Sequence, residues 1–200
     1  YHQLFSPEAI MKIIDNFLPK KFQDEIEIMM TANSFPWYYR PRESSGRPKL
    51  NDPMYHYTHD FVHTFYDDEQ GPMSNYYTFL QPIKYFAEEK GYPNNGFHRL
   101  KANLNLQDPD FKEGQCFEPH VDMPSPHTVC IYYVNDSDGY TYIFDKMFDQ
   151  SNPDQTKFGE YKTVKPVKGR AVFFNGLYYH AGSSPIKDQS RIIINADFVN

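Results

Sequence analysis

The spacing of apolar and polar positions predicts both helices and strands in the first half of the chain. Residues 9–18 carry an apolar, β-branched run that predicts a short strand, and residues 19–32 repeat apolar side chains at helical spacing. Residues 73–92 show the same helical spacing, and we expect a kink near Pro82 because proline removes a helical hydrogen bond. The segments between the two helices are predicted as a loop and then a strand, at 36–53 and 54–68.

After Gly96, eight short strand-like runs follow one another, separated by turn-rich pieces such as NDSDG and SPIKDQ. Such a series is typical of a double sheet of the jelly-roll kind. The eight runs are 97–107, 117–122, 128–135, 140–145, 160–167, 170–175, 178–183 and 190–199. We therefore expect an α+β, mainly β, single domain over 1–200. Residues 1–96 would form a mostly helical support region, packed against a double-stranded β-helix (jelly-roll) core at 97–200.

Composition and charge exclude some classes of protein. A net charge of −6 argues against a nucleic-acid binder that works by bulk charge, and no run of about 18 apolar residues predicts a membrane span. The first ten residues lack the pattern of a signal peptide, and the absence of an initiator Met is consistent with a trimmed start. Cys116 and Cys130 are too few for a disulfide framework. We interpret them as buried thiols of a reducing compartment and expect a cytoplasmic protein.

The segment EPHVD places His120 and Asp122 two residues apart. Side chains at i and i+2 of an extended strand point to the same face, so the two can converge on one metal ion. A third ligand is needed, and His180 follows 58 residues after Asp122 in another strand-like run. Two imidazoles and one carboxylate form the facial triad of non-haem Fe(II) oxygenases, which leaves three positions open. A zinc hydrolase can use a similar set, so the ligands alone do not choose the reaction.

Arg191 opens the last strand-like run, 11 residues after His180. We expect it on a strand next to the one that carries His180. A guanidinium in a core strand requires an anion. That anion is either an internal carboxylate or the carboxylate of a metal-bound keto acid held by a bidentate clamp. The sequence leaves both readings open.

Three segments of the second half, and one of the first half more weakly, carry a resemblance to a known family. They are GQCFEPHVD (114–122), TVCIYYVND (128–136), VKGRAVFFNGLYYHAGS (167–183) and IIDNFLPKKFQDEI (13–26). Together they resemble the iron- and 2-oxoglutarate-dependent dioxygenases, and within them the prolyl 4-hydroxylase-like branch. The resemblance implies Fe(II) as metal, 2-oxoglutarate as co-substrate and O₂ as oxidant.

The resemblance also implies roles for particular residues. It assigns the iron to His120, Asp122 and His180, the distal carboxylate of 2-oxoglutarate to Arg191 and Tyr133, and the metal-bound end of the co-substrate to Asn105 or Asn103. Many members of the family place Ser or Thr two residues after the basic residue, whereas this chain has Ile193. That departure removes one hydrogen bond from the carboxylate site.

The expected reaction hydroxylates a prolyl or other residue of a protein or peptide, or a small molecule, and releases succinate and CO₂. The basic segment 38–49, with Arg40, Arg42 and Arg47, would then contribute to the substrate entrance. The alternative is a double-sheet metal-binding or cupin-like protein without oxygenase activity. Arg191 and Tyr133 favour the dioxygenase, since a structural metal site has no use for a carboxylate clamp. The sequence gives neither the substrate nor the oligomeric state.

Overall fold

The computed structural model describes residues 10–41, 52–56, 58–93, 95–152 and 156–200. Its strands are β1 (Met11–Ile14), β2 (Tyr38–Arg40), β3 (Asp60–Asp67), β4 (Gly71–Pro72), β5 (Phe97–Leu106), β6 (His127–Tyr133), β7 (Thr141–Met147), β8 (Tyr161–Val164), β9 (Ala171–Asn175), β10 (Tyr178–Gly182) and β11 (Ser190–Val199). Its helices are α1 (Lys20–Thr31), α2 (Tyr77–Leu80) and α3 (Pro82–Glu89). The expectation for the first nine residues, and the lid role of Arg42 and Arg47, lie outside these ranges.

The strands form two antiparallel sheets, which confirms the mainly β jelly-roll fold. The large sheet has the order β1-β9-β6-β11-β5-β3-β2, and β4 pairs with the outer side of β3. The small sheet has the order β10-β7-β8. Strands distant in the chain are therefore neighbours, because after β6 the chain passes repeatedly from one sheet to the other.

The helices pack on the large sheet, as the sequence predicts. Ile26 and Met30 of α1 and Ile83 and Ala87 of α3 are buried in one apolar cluster with side chains of the large sheet. Burying an Ile or Met side chain contributes roughly 1.5–3 kcal/mol, so this face stabilises both helices where their own propensity would not. None of the helices in the described ranges is long and apolar enough to cross a membrane.

Helix α1 is also held by polar contacts to the loop before β9. Lys168 Nζ donates to Asp24 Oδ1 at 2.6 Å and also contacts Glu27. Gly169 has φ +81°, and a Cβ there would lie 2.2 Å from Oε1 of the buried Gln23. A glycine is therefore required at 169, because both its backbone angle and the approach of α1 leave no room for a side chain.

Some predicted boundaries are wrong. The run at 117–122 is not a strand: His120 makes a single isolated bridge to His180. Pro119 has no N–H and cannot donate to a ladder, which limits pairing there. The first half is less helical than expected, because β1 to β4 extend the large sheet at both ends. The expected kink near Pro82 is a break between α2 and α3.

Candidate active site

The candidate site lies between the two sheets, where the inner face of the large sheet is polar. Residues two apart on a strand share a face. On β5 the face toward the cavity carries a row of polar side chains, and most positions of β11 that point the same way are polar as well. Three residues of β11 lie opposite residues of β5: Arg191 opposite Asn105, Asn195 opposite Lys101, and Asp197 opposite Arg99. The cavity that all of these residues except Asp197 border has a volume of about 590 Å³, within the range of a ligand site.

The structure brings His120, Asp122 and His180 together. One ligand atom from each lies within 4.8 Å of the others. The two histidines are fixed by their own backbones, since His120 N donates to His180 O at 3.0 Å and His180 N donates to His120 O at 2.9 Å. Their ring centroids lie 4.8 Å apart. The isolated bridge thus replaces the expected strand pair and still directs both rings to one point.

Both imidazoles are oriented for metal binding through Nε2. His120 Nδ1 lies 3.3 Å from Glu118 O, and His180 Nδ1 lies 3.2 Å from Tyr178 O. A carbonyl only accepts, so a proton on each Nδ1 leaves the Nε2 lone pair free. Desolvation in the cavity, with a smaller effect from the neighbouring His180, lowers the pKa of His120. The neutral ring that a metal requires is therefore the stable form.

Asp122 is held from two sides. Arg99 Nη2 donates to its Oδ1, and Asn195 Nδ2 donates to its Oδ2 at 2.9 Å. Burial alone would raise the pKa of Asp122, but His180 and the charge of Lys101 outweigh burial and hold the pKa well below its usual range. The residue is therefore a carboxylate, and its side chain is only 2% exposed.

This donor set fits a divalent metal ion. Two imidazoles and one ionised carboxylate suit Fe(II), and the set leaves three coordination positions for other ligands. His120 and His180 approach Asp122 with Nε2–O separations of 3.9 Å and 3.2 Å. Among the described residues, no second acidic side chain joins these three donors.

Arg191 is buried in the same cavity with neutral partners. Its Nη1 donates to Asn105 Oδ1 at 3.2 Å, and its Nη2 donates to Thr141 Oγ1 at 2.7 Å. Its Nε is buried without an acceptor, and within the described ranges no carboxylate pairs with it. Burial lowers the pKa of Arg191. A guanidinium remains charged in proteins, and among the described residues no acid neutralises it, so the cavity has room for an anion at this point.

The position of Arg191 corrects one expectation. Strand β11 belongs to the large sheet, whereas β10, which carries His180, belongs to the small one. Arg191 therefore faces the small sheet from across the cavity instead of lying on a neighbouring strand. Two glycines make room for it: a Cβ at Gly182 would lie 3.1 Å from its Nη1, and one at Gly139 would lie 2.9 Å from its Cδ.

The other predicted co-substrate residues lie near Arg191 in different ways. Tyr133 is fully buried, its ring centroid lies 6.0 Å from Arg191 Cζ, and its hydroxyl donates to Thr141 Oγ1 at 2.7 Å. Asn105 contacts Arg191, whereas Asn103 Nδ2 donates to Asp60 Oδ2 at 3.1 Å. Both asparagines line the cavity. Their roles toward a co-substrate remain predictions.

Thr141 is a cavity residue that sequence reasoning missed. It accepts from both Arg191 and Tyr133, which leaves its own hydroxyl proton for another acceptor. It thus brings a hydroxyl to the guanidinium from the small sheet, although Ile193 occupies the position where a Ser or Thr was expected. A single threonine at the start of an apolar strand gives no signal in the sequence.

Arg99, Lys101, Asn195 and Asp197 were also missed. All four are polar side chains at alternate positions of two otherwise apolar strands, RLKANLNL and RIIINADFV. That alternation was visible, and it indicates one polar face inside a double sheet. What the sequence did not show is that the faces of β5 and β11 meet at Asp122.

Arg40 lies at the outer part of the cavity. Its Nε donates to Asp60 Oδ1 at 2.7 Å and its Nη2 to Asp60 Oδ2 at 2.5 Å. Its side chain is 43% exposed, so it borders the cavity and the solvent. This position agrees with the expected entrance role of Arg40, which remains a prediction.

No family model matches the chain, and no curated protein matches it. Solved structures do. An oxidoreductase of the 2OG-Fe(II) oxygenase family from Burkholderia pseudomallei aligns with TM-score 0.65 at 12% identity, over 96% of this chain and 86% of that one. The α-ketoglutarate-dependent epimerase SnoN of nogalamycin biosynthesis aligns with TM-score 0.62 at 14% identity, over 96% and 78%.

A third similar structure is the prolyl hydroxylase of Trichoplax adhaerens, in complex with a peptide fragment of the hypoxia-inducible factor. It aligns with TM-score 0.58 at 15% identity, over 96% of this chain and 84% of that one. At these identities the likeness shows the fold. The chain has the double-stranded β-helix fold of the 2-oxoglutarate- and Fe(II)-dependent oxygenases.

Proposed function

We propose that this protein is an Fe(II)- and 2-oxoglutarate-dependent dioxygenase. The observation that carries the proposal is the buried Arg191, whose partners among the described residues are neutral and which lines the same cavity as the donor atoms of His120, Asp122 and His180. A metal site without a co-substrate needs no such cation. A buried guanidinium without a counter-ion is costly unless a ligand supplies the anion.

Each residue then has a defined task. His120, Asp122 and His180 would hold Fe(II), and Arg191 would bind the distal carboxylate of 2-oxoglutarate through charge-assisted hydrogen bonds. Thr141 donates its free hydroxyl proton to the same carboxylate, while Asn105 fixes the orientation of the guanidinium. Bound iron would supply the activation of O₂, coupled to decarboxylation of 2-oxoglutarate to succinate and CO₂. The protein positions the reactants and limits access of water.

The fold does not choose the substrate. The similar structures include a prolyl hydroxylase, an epimerase and a carbocyclase, so one architecture serves several reactions. We propose hydroxylation of a protein or peptide residue, by resemblance to the prolyl hydroxylases, with a small molecule as the other substrate class. Arg40, at the outer part of the cavity, would contact the substrate at its entrance.

Two measurements test the proposal. Addition of 2-oxoglutarate to the anaerobic Fe(II) protein should give a weak visible charge-transfer band, because the keto acid must bind the iron directly. Candidate peptides and metabolites should then be screened for succinate release under air. Tight metal binding without any effect of 2-oxoglutarate would favour the metal-binding double-sheet protein and contradict the dioxygenase.

A further inference from the structure

A chain of three ionisable side chains, Asp122, Arg99 and Asp197, lies behind the candidate metal site. Arg99 Nε donates to Asp197 Oδ2 at 3.1 Å, and Arg99 Nη2 lies 2.9 Å from the same oxygen. The same Nη2 donates to Asp122 Oδ1. Asp197 is completely buried and does not line the cavity, and it is the cross-strand partner of Arg99. The hydrogen bonds that connect Asp197 to Asp122 therefore run through Arg99.

The two oxygens of Asp122 have different surroundings. Oδ1 receives the charged donor Arg99, lies 3.9 Å from Lys101 Nζ and lies 3.9 Å from His120 Nε2. Oδ2 receives the neutral amide of Asn195 and lies only 3.2 Å from His180 Nε2. The positive charge is therefore concentrated at Oδ1, and Oδ2 is the oxygen that approaches a histidine ligand atom most closely.

We propose that Arg99, anchored by Asp197, is a positioning residue that restricts Asp122 to a single metal-binding oxygen. The inference rests on the proposed function. A metal-bound carboxylate can offer one oxygen or two, and hydrogen bonds from outer residues decide which oxygens are free. With Oδ1 occupied by a guanidinium, Oδ2 alone serves the ion. Three positions then stay open, which is the number that a bidentate keto acid and O₂ together require.

A positioning role for Arg99 and a purely structural ion pair predict different effects on metal binding when Arg99 is lost. Without Arg99, Asp122 can offer both oxygens and its negative charge is less compensated by neighbours, so the ion should bind at least as tightly. The co-substrate, however, should lose one of its positions. A structural pair would behave differently: its loss would loosen the ligands and weaken the metal and the co-substrate together.

The test is a pair of anaerobic titrations on Arg99→Met, which keeps much of the apolar stem of the side chain and removes the guanidinium. Co(II) is titrated first, as a redox-stable probe of the metal site, and 2-oxoglutarate is titrated next into the Co(II)-loaded protein. We expect a Co(II) dissociation constant that is unchanged or lower, and a 2-oxoglutarate dissociation constant raised at least about tenfold. Arg99→Lys restores a charged donor and should recover part of the 2-oxoglutarate affinity.

Arg170→Met is the matched control. It removes a guanidinium that forks onto Asp15 at the surface, with Nε–Oδ1 2.6 Å and Nη2–Oδ2 3.2 Å. Both titrations should match the wild type there. If Arg99→Met does not fold, Asp197→Asn carries the test, because it keeps the shape of the anchor and replaces its carboxyl group by a neutral amide. It should show the same split between metal and co-substrate, with a smaller effect.

Two results would overturn the inference while the proposed function stands. One is a wild-type affinity for 2-oxoglutarate in Arg99→Met. The other is a Co(II) affinity that falls in parallel with the 2-oxoglutarate affinity. Wild-type protein that binds Co(II) but no 2-oxoglutarate would instead overturn the proposed function, and the inference with it.

Discussion

Replacing Arg191 by Met separates the dioxygenase from a metal-binding protein without a co-substrate. Methionine keeps much of the apolar volume of the arginine stem and deletes the guanidinium. The bonds lost inside the protein are those to Asn105 and Thr141, both neutral groups. The variant therefore removes a charge that has no acid partner in the described part of the chain.

The magnitude follows from those partners. A hydrogen bond to a charged group is worth roughly 1.5–3 kcal/mol, and about 1.4 kcal/mol corresponds to tenfold in affinity. Loss of the contacts between Arg191 and a carboxylate should thus raise the 2-oxoglutarate requirement at least about tenfold. Breaking a buried ion pair would instead cost about 3–5 kcal/mol of folding stability. Because Arg191 has no such pair in the part of the chain that the structure describes, the free energy of unfolding should change little or rise.

The assay is succinate formation against 2-oxoglutarate concentration, with iron content and denaturant unfolding measured on the same preparations. Tyr133→Phe is a graded comparison, since it removes one neutral hydroxyl that contacts Thr141. It should shift the co-substrate curve less. An Arg191→Met protein that loses several kcal/mol of stability but keeps its co-substrate curve would refute the reasoning and make Arg191 a structural residue.

Three further predictions concern the metal donors, the entrance and the space around the clamp. Replacing any one of His120, Asp122 and His180 by Ala should abolish turnover and weaken iron binding while the fold persists; iron titration with unchanged binding in all three variants would end the facial-triad assignment. Arg40→Ala should weaken use of the substrate more than use of 2-oxoglutarate, and an equal effect on both would remove its entrance role. Gly182→Ala places a methyl group 3.1 Å from the guanidinium, so 2-oxoglutarate binding measured by titration should weaken several-fold, and an unchanged isotherm would show that the guanidinium adjusts freely.

The sequence predicts the fold and the metal donors because both depend on local patterns. Alternating strands after Gly96 and helical spacing at 19–32 reflect burial on one face, which is visible in any single segment. From the sequence one could expect only that the two strand-like runs carrying His120 and His180 lie close together. In the structure it is a bridge of two residues, since Pro119 limits the ladder.

The surroundings of the donors could not be predicted in the same way. Thr141 reaches Arg191 from the opposite sheet, and Arg99 reaches Asp197 over 98 residues of chain. Such contacts depend on which strands the chain places face to face, and no local spacing encodes that. The expected adjacency of Arg191 and the His180 strand was wrong for this reason: alternation between sheets puts consecutive strands on opposite walls.

Because the cavity lies between the two sheets, ligands bound there would also affect how firmly the sheets are held together. Elsewhere the two sheets meet through apolar side chains. Here they face each other across a cavity of about 590 Å³ that charged residues border, with Arg191 on one sheet and Thr141 and His180 on the other. A bound ion and keto acid would supply the missing contacts between the walls. By mass action, higher concentrations of these two ligands would then make separation of the small sheet from the large one less frequent. Because proteases cleave opened states, the protein would also be degraded more slowly.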